Sequence, residues 1–207
     1  MARKRRRKGL FSSRRWRRSF TALGVTLVVA LLGYDHYTYK AVVTGDWNRY
    51  HAHQARVVYI ADGDTIDIDI PDGRKNVTRI RLWGVDTPEI AHGKEKDMHF
   101  GPEAKQFAED TLENRRVTIE LVPNKTRDKY GRLLAYVFLE SDGTMYNELL
   151  LENGLAYSDL RFAHSRKARF EALEKSARGQ QKGLWSDLTR ALMPEWRQRM
   201  EKKTKRP

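Results

Sequence analysis

From Ala55 onward the chain alternates apolar and polar residues in steps of two. The stretch "TIDIDI" puts Ile66, Ile68 and Ile70 on one face and Asp67 and Asp69 on the other, which predicts a half-buried strand. "ARVVYIA" (55–61) before it and "VTRIRLWGV" (77–85) after it also read as strands, separated by the turn signals Asp62-Gly63 and "PDGRK". The period changes at Gly101-Pro102. Ala104, Phe107, Ala108, Thr111 and Leu112 recur at helical spacing, behind a proline suited to a first turn. Two further strands, 116–122 and 133–139, flank the polar loop "PNKTRDKYGR". A helix over 146–153 stops at Gly154, and another runs from about His164 to Arg178 with Phe170, Leu173 and Ala177 inward. Five strands with inserted and appended helices predict an α+β, mainly β architecture: a small five-stranded barrel with about three helices rather than a sandwich.

Upstream, the run from Ser19 to Tyr34 is uncharged and mostly apolar. As a helix it spans roughly 24 Å, short of a hydrocarbon core of about 30 Å, and Tyr34 and Tyr37 extend it at the interface. A secretory signal has the same order of basic and apolar regions. No pair of small residues closes this run, since Ala30 precedes Leu31 and Gly33 precedes Tyr34. An uncleaved transmembrane signal anchor is therefore favoured over secretion after cleavage; a buried helix behind a basic arm is the third reading. Ten Lys/Arg within residues 1–20 predict a cytoplasmic N-terminus, a single pass and an exported C-terminal domain. The expected layout is a basic arm (1–18), an anchor (19–39), a tether (40–53), the folded domain (54–188) and a basic, frayed or weakly helical tail (189–207).

Charge refines this layout. The chain of 207 residues carries +13, but residues 21–189 hold 23 bases and 25 acids. The domain is close to neutral, so a phosphate there must be held by a few placed arginines rather than by a broad field. The absence of cysteine excludes disulfides and thiolate-bound zinc. Charges interrupt the strand pattern at Asp62 and Asp64, at Arg81 with Asp86 and Glu89, and at Asp128 and Arg132. Phosphodiester hydrolysis needs this inventory: carboxylates for a hard divalent cation, a carboxylate to activate water, and guanidinium forks for phosphate oxygens. Arg81 and Asp86 are five apart and so lie on opposite faces of a regular strand. A bulge or bend at Gly84 would turn Asp86 inward. His92 and His99 read as solvated loop residues, as do His51 and His53 in the tether.

Three ordered segments, "DGDT" (62–65), "RLWGVDTPE" (81–89) and "DKYGR" (128–132), resemble the signature segments of the staphylococcal nuclease (thermonuclease) family. The likeness extends from about Ala55 to "GLWS" (183–186). It implies an OB-type barrel with three helices and a calcium-dependent phosphodiesterase acting on DNA or RNA. Carried over by position, Asp64 and Asp86 look like calcium ligands, with the Thr87 carbonyl as a third. Glu89 looks like the carboxylate that orients or deprotonates water, and Arg81 and Arg132 like the phosphate clamp. Asp62 and Asp128 match supporting positions, and Tyr130 a contact to the nucleotide. Leu160 and Phe162 stand where the best-known member has tyrosines in its nucleotide pocket. The expected partners are nucleic acid and the membrane, with no protein partner and a monomeric state. The competing class is a silent nuclease-fold module that binds nucleic acid or protein.

Overall fold

The computed structural model describes residues 14–91 and 96–204. Five strands close a barrel in the order β1 (Gln54–Asp62), β2 (Thr65–Ile68), β3 (Thr78–Leu82), β6 (Leu133–Leu139), β5 (Arg116–Leu121), which returns to β1. Neighbours are antiparallel except β3 and β6, which run parallel with Arg81 beside Leu134. The alternating residues face inward: Val57, Ile66, Ile68, Ile80, Val117, Ile119, Leu133 and Val137 are fully buried. Each such side chain contributes about 1.5–3 kcal/mol relative to exposure. Asp67, expected on the solvent side of β2, is also buried. Its two oxygens accept from Nε and Nη2 of Arg79 opposite on β3, at 2.7 and 2.8 Å, and this fork replaces the lost water.

A two-residue strand β4 (Val85–Asp86) pairs with β7 (Tyr157–Ser158) beside the barrel. Three helices pack around the barrel as expected: α2 (Gly101–Leu112), α3 (Tyr146–Glu152) and α4 (Lys167–Gly179). Ala104, Ala108 and Leu112 of α2 are buried, as the spacing predicted.

The N-terminal appendage differs from expectation. Helix α1 runs continuously over Arg14–Tyr50, where a tether was expected from residue 40. The chain divides between Gly45 and Asp46 into two compact units, so the last turn of this helix belongs with the barrel. Its rings supply the reason: Tyr50 is 1% exposed in the barrel core, and Trp47 stacks on His51 at 3.9 Å. In the first unit Val25, Leu27, Val28 and Val29 are all more than half exposed. Among the described residues no helix is long and apolar enough to cross a membrane.

At the other end, the tail expected to be frayed or weakly helical forms α5 (Glu195–Thr204). Trp196 and Arg197 are buried there, packed with Tyr157, Ala177, Leu184 and Trp185. Arg197 pairs with the buried Glu174 of α4, whose carboxylate also accepts the Ser158 amide at 2.7 Å. Burial pushes the Glu174 carboxyl pKa up, and Arg197 opposes that rise. No periodic apolar stripe marks α5 in the sequence; Trp196, the Arg197–Glu174 pair and the Arg178–Glu201 pair dock it instead.

Candidate active site

The site is assembled where β1 turns into β2. In Asp62-Gly63-Asp64 the first carboxylate accepts the Asp64 amide at 3.0 Å, a local turn bond favoured by Asp. Gly63 admits no side chain, since a Cβ would lie 2.9 Å from both Ala104 Cβ and Thr87 Cγ2. Asp64 is thereby buried completely, with Oδ2 accepting the Thr87 amide at 2.8 Å and Oδ1 accepting the Thr65 hydroxyl at 3.1 Å.

Arg81 stands opposite Thr65 on β3 and bonds Asp64 through one guanidinium nitrogen and Asp86 through the other. The five-residue spacing is resolved by Gly84. Its φ of 79° turns the chain between β3 and β4 and brings Asp86 back to the face of Arg81. His164 and Phe170 press against this turn, with His164 Cε1 2.7 Å from where a Gly84 Cβ would stand.

Asp86, 8% exposed, has three donors. Oδ1 accepts from Arg81 and from Nη2 of Arg161 (2.9 Å), and Oδ2 accepts from the Trp196 indole at 2.7 Å. Arg161 is held in turn by a fork to Asp159, with both bonds at 2.8 Å.

Arg132 comes from the loop before β6. Asp128 organises that loop: it accepts the amides of Tyr130 and Arg132 and, at 2.7 Å, Nε of Arg132. From beneath, Arg127 donates to Asp46, Asp72 and the Gly131 carbonyl, while Thr126 donates to Asp46 at 2.7 Å. The bond to Asp46 is the main cause that holds the Arg127 guanidinium pKa above its usual value. The last turn of α1 therefore supports the loop that carries Arg132.

A cleft of about 640 Å³ opens over these groups. Its wall includes Arg81, Asp86, Glu89, Asp128, Tyr130, Arg132, Arg161 and Phe162. Trp83 and Phe162 lie 5.0 Å apart along it, and Lys125 stands 5.5 and 5.1 Å from their rings. Tyr130 is 72% exposed at the rim, flanked by Lys129 and Arg132. Asp62, Asp64 and Thr87 lie behind the wall rather than on it. The carboxylate of Glu89 reaches solvent, has no ion pair among the described residues, and still sits among enough protein atoms to be partly desolvated. That desolvation, then the charge of Asp62, pushes its pKa up; Arg81 and Arg132 pull the other way and Asp86 adds to the rise. Asp62 is raised too, chiefly by burial.

Each candidate residue thus falls at the cleft or directly behind it. Arg161, Asp159, Trp196, Asp46 and Arg127 were not anticipated. His99 pairs with Asp187 at 2.9 Å away from the cleft, and His92 lies outside the described residues.

Among the described residues no group of three or more His, Cys, Asp or Glu converges as a ready metal cage. Asp64 and Asp86 nevertheless face one positive centre, the Arg81 guanidinium. Two carboxylates that converge on a cation form a donor set that fits a hard divalent ion with water or other oxygens completing its shell.

Comparison with known proteins identifies the family. Residues 79–187 match the family model described as staphylococcal nuclease homologue, and the chain belongs to that family. It is 36% identical over 133 residues to a thermonuclease of Staphylococcus hyicus, covering 64% of this chain and 75% of that protein. It is 38% identical over 128 residues to a thermonuclease of Staphylococcus intermedius, covering 61% and 72%. A micrococcal nuclease of Shigella flexneri is 33% identical over 141 residues, covering 65% and 74%.

Proposed function

We propose that this chain is a calcium-dependent phosphodiesterase that hydrolyses DNA or RNA in the cleft over Arg81. The observation that carries the proposal is the meeting, in one cleft, of Arg81, Arg132 and Glu89, which has no ion pair among the described residues, in front of the converging pair Asp64 and Asp86. The named nuclease relatives support it at the level of the family.

In this reading Arg81 and Arg132 bind the scissile phosphate through their planar forks and remain charged at any working pH. Glu89 holds the attacking water in line and takes its proton, a task that its raised pKa suits. Asp64, Asp86 and the Thr87 carbonyl would hold the cation, which would supply positive charge against the phosphoryl oxygens. Trp83, Phe162 and Tyr130 offer π-faces to the bases, and Lys125 lies over two of those rings. The arginines supply fixed charge at the site where the reaction creates it, so their positions matter more than the net charge of the domain.

The test is cleavage of single-stranded DNA, double-stranded DNA and RNA by the full chain, with calcium, with magnesium and with chelator. Calcium-dependent cleavage that disappears in Glu89→Gln and Arg132→Ala is the expected result. A folded chain that cuts nothing but still binds oligonucleotide would identify a silent binding module instead.

We also propose that the exposed apolar stretch of α1, behind ten basic residues, attaches the chain to a membrane with the nuclease domain on the exported side. Carbonate-resistant sedimentation with membranes, and protease accessibility of the domain from the exported face, test that placement.

A further inference from the structure

We propose that α5 is a working part of the site and that Trp196 is a positioning residue which holds Asp86 for the cation. The inference rests on Asp86 being a cation ligand, as proposed above.

Trp196 lies 110 positions from Asp86 and beyond the family-matched segment, yet its indole Nε1 donates to Asp86 Oδ2 at 2.7 Å in a buried bond. Packing does not demand this bond. The indole N–H groups of Trp83 and Trp185 are buried with no hydrogen-bond partner among the described residues, and both rings still pack. The ring of Trp196 has a second role, because the Arg161 guanidinium lies 4.5 Å above it while Arg161 Nη2 bonds Asp86 Oδ1.

The carboxylate is therefore gripped on both oxygens, by Trp196 on one side and by Arg81 and Arg161 on the other, and its plane is fixed. With Oδ2 engaged by the indole, Oδ1 is the oxygen directed at the positive centre shared with Asp64. A partner behind a metal-binding carboxylate sets its orientation, and loss of such a partner commonly weakens metal affinity about 10–100-fold. Docking of α5 by the buried Arg197–Glu174 pair keeps the indole in register.

The test uses the full chain and the variant Trp196→Phe, which keeps a phenyl ring under Arg161 and removes the indole N–H together with part of the ring. Calcium chloride is titrated into each by calorimetry, with thermal melting as the control for folding. The expected result is a melting temperature within a few degrees of the parent and a calcium Kd raised about tenfold or more. Calcium affinity unchanged within twofold in the folded variant overturns the inference. If Trp196→Phe does not fold, the parent decides. The ¹H–¹⁵N resonance of the Trp196 indole shifts with the calorimetric midpoint while that of Trp185 stays still; a static Trp196 resonance overturns the inference. A parent chain that binds no calcium removes the proposed function and this inference with it, whereas a parent that binds beside an equally tight variant removes this inference alone.

Discussion

Arg127 and Asp46 stand 2.7 Å apart although 81 residues separate them, and through this bond the last turn of α1 supports the loop bearing Arg132. The pair is largely buried, with side-chain exposures of 21% and 8%. Removing one partner leaves the other charge uncompensated, so Arg127→Ala is expected to destabilise the fold by about 3 kcal/mol. Urea unfolding measures this directly. Near-wild-type stability would show that the loop holds without the Arg127 bonds to Asp46 and Asp72.

Replacing the guanidinium at 132 separates positioning from charge. Arg132→Lys keeps the charge but loses the fork and the Asp128 clasp on Nε. We expect an unchanged melting temperature and a fall in kcat of about 10²-fold, the usual effect of deleting one preorganised donor. A loss confined to KM would place Arg132 in ground-state binding only.

Gly84 predicts a structural effect with a functional signature. Its φ of 79° and the approach of His164 leave no room for a Cβ. Gly84→Ala should destabilise the fold by about 1–3 kcal/mol, as strain at such positions does. Because the turn brings Asp86 to Arg81, calcium affinity should fall with it, measured by calorimetry on the folded fraction.

Glu89 connects stability to pH. Its carboxyl pKa is raised in the folded chain, so the folded state binds more protons than the unfolded one between the two values. Its contribution to stability is therefore complete in acid and declines as pH rises through the folded value. Glu89→Gln should melt above the parent near pH 8, with the gap closing below about pH 4, while cleavage is lost. The acid limb of kcat/KM should lie at higher pH than an ordinary glutamate allows. A variant that melts below the parent at pH 8 would mean that Glu89 supports the fold.

The parts legible in the sequence were those encoded within a few residues of one another. The alternation of "TIDIDI", the turn at Asp62-Gly63 and the loop around Asp128 each carry their own local chemistry, and together they place Asp64, Arg81, Glu89 and Arg132. The spacing of Arg81 and Asp86 was ambiguous until the turn at Gly84 was seen. Arg161, Trp196 and the Asp46–Arg127 contact were not legible, because each acts through a partner 75 to 110 positions away that no spacing rule connects. The burial of Asp67 was missed for a similar reason, since its masking depends on Arg79 standing opposite it in the sheet.

The two supports of the cleft enter from opposite ends of the chain, Asp46 ahead of the family-matched segment and Trp196 after it. Grafting residues 79–187 alone into another protein would transfer Arg81, Asp86, Glu89 and Arg132 without either brace. Boundaries chosen for fusions, truncations or crystallisation should therefore run from before Asp46 to beyond α5, because the reacting groups and the residues that keep them in place occupy different stretches of sequence.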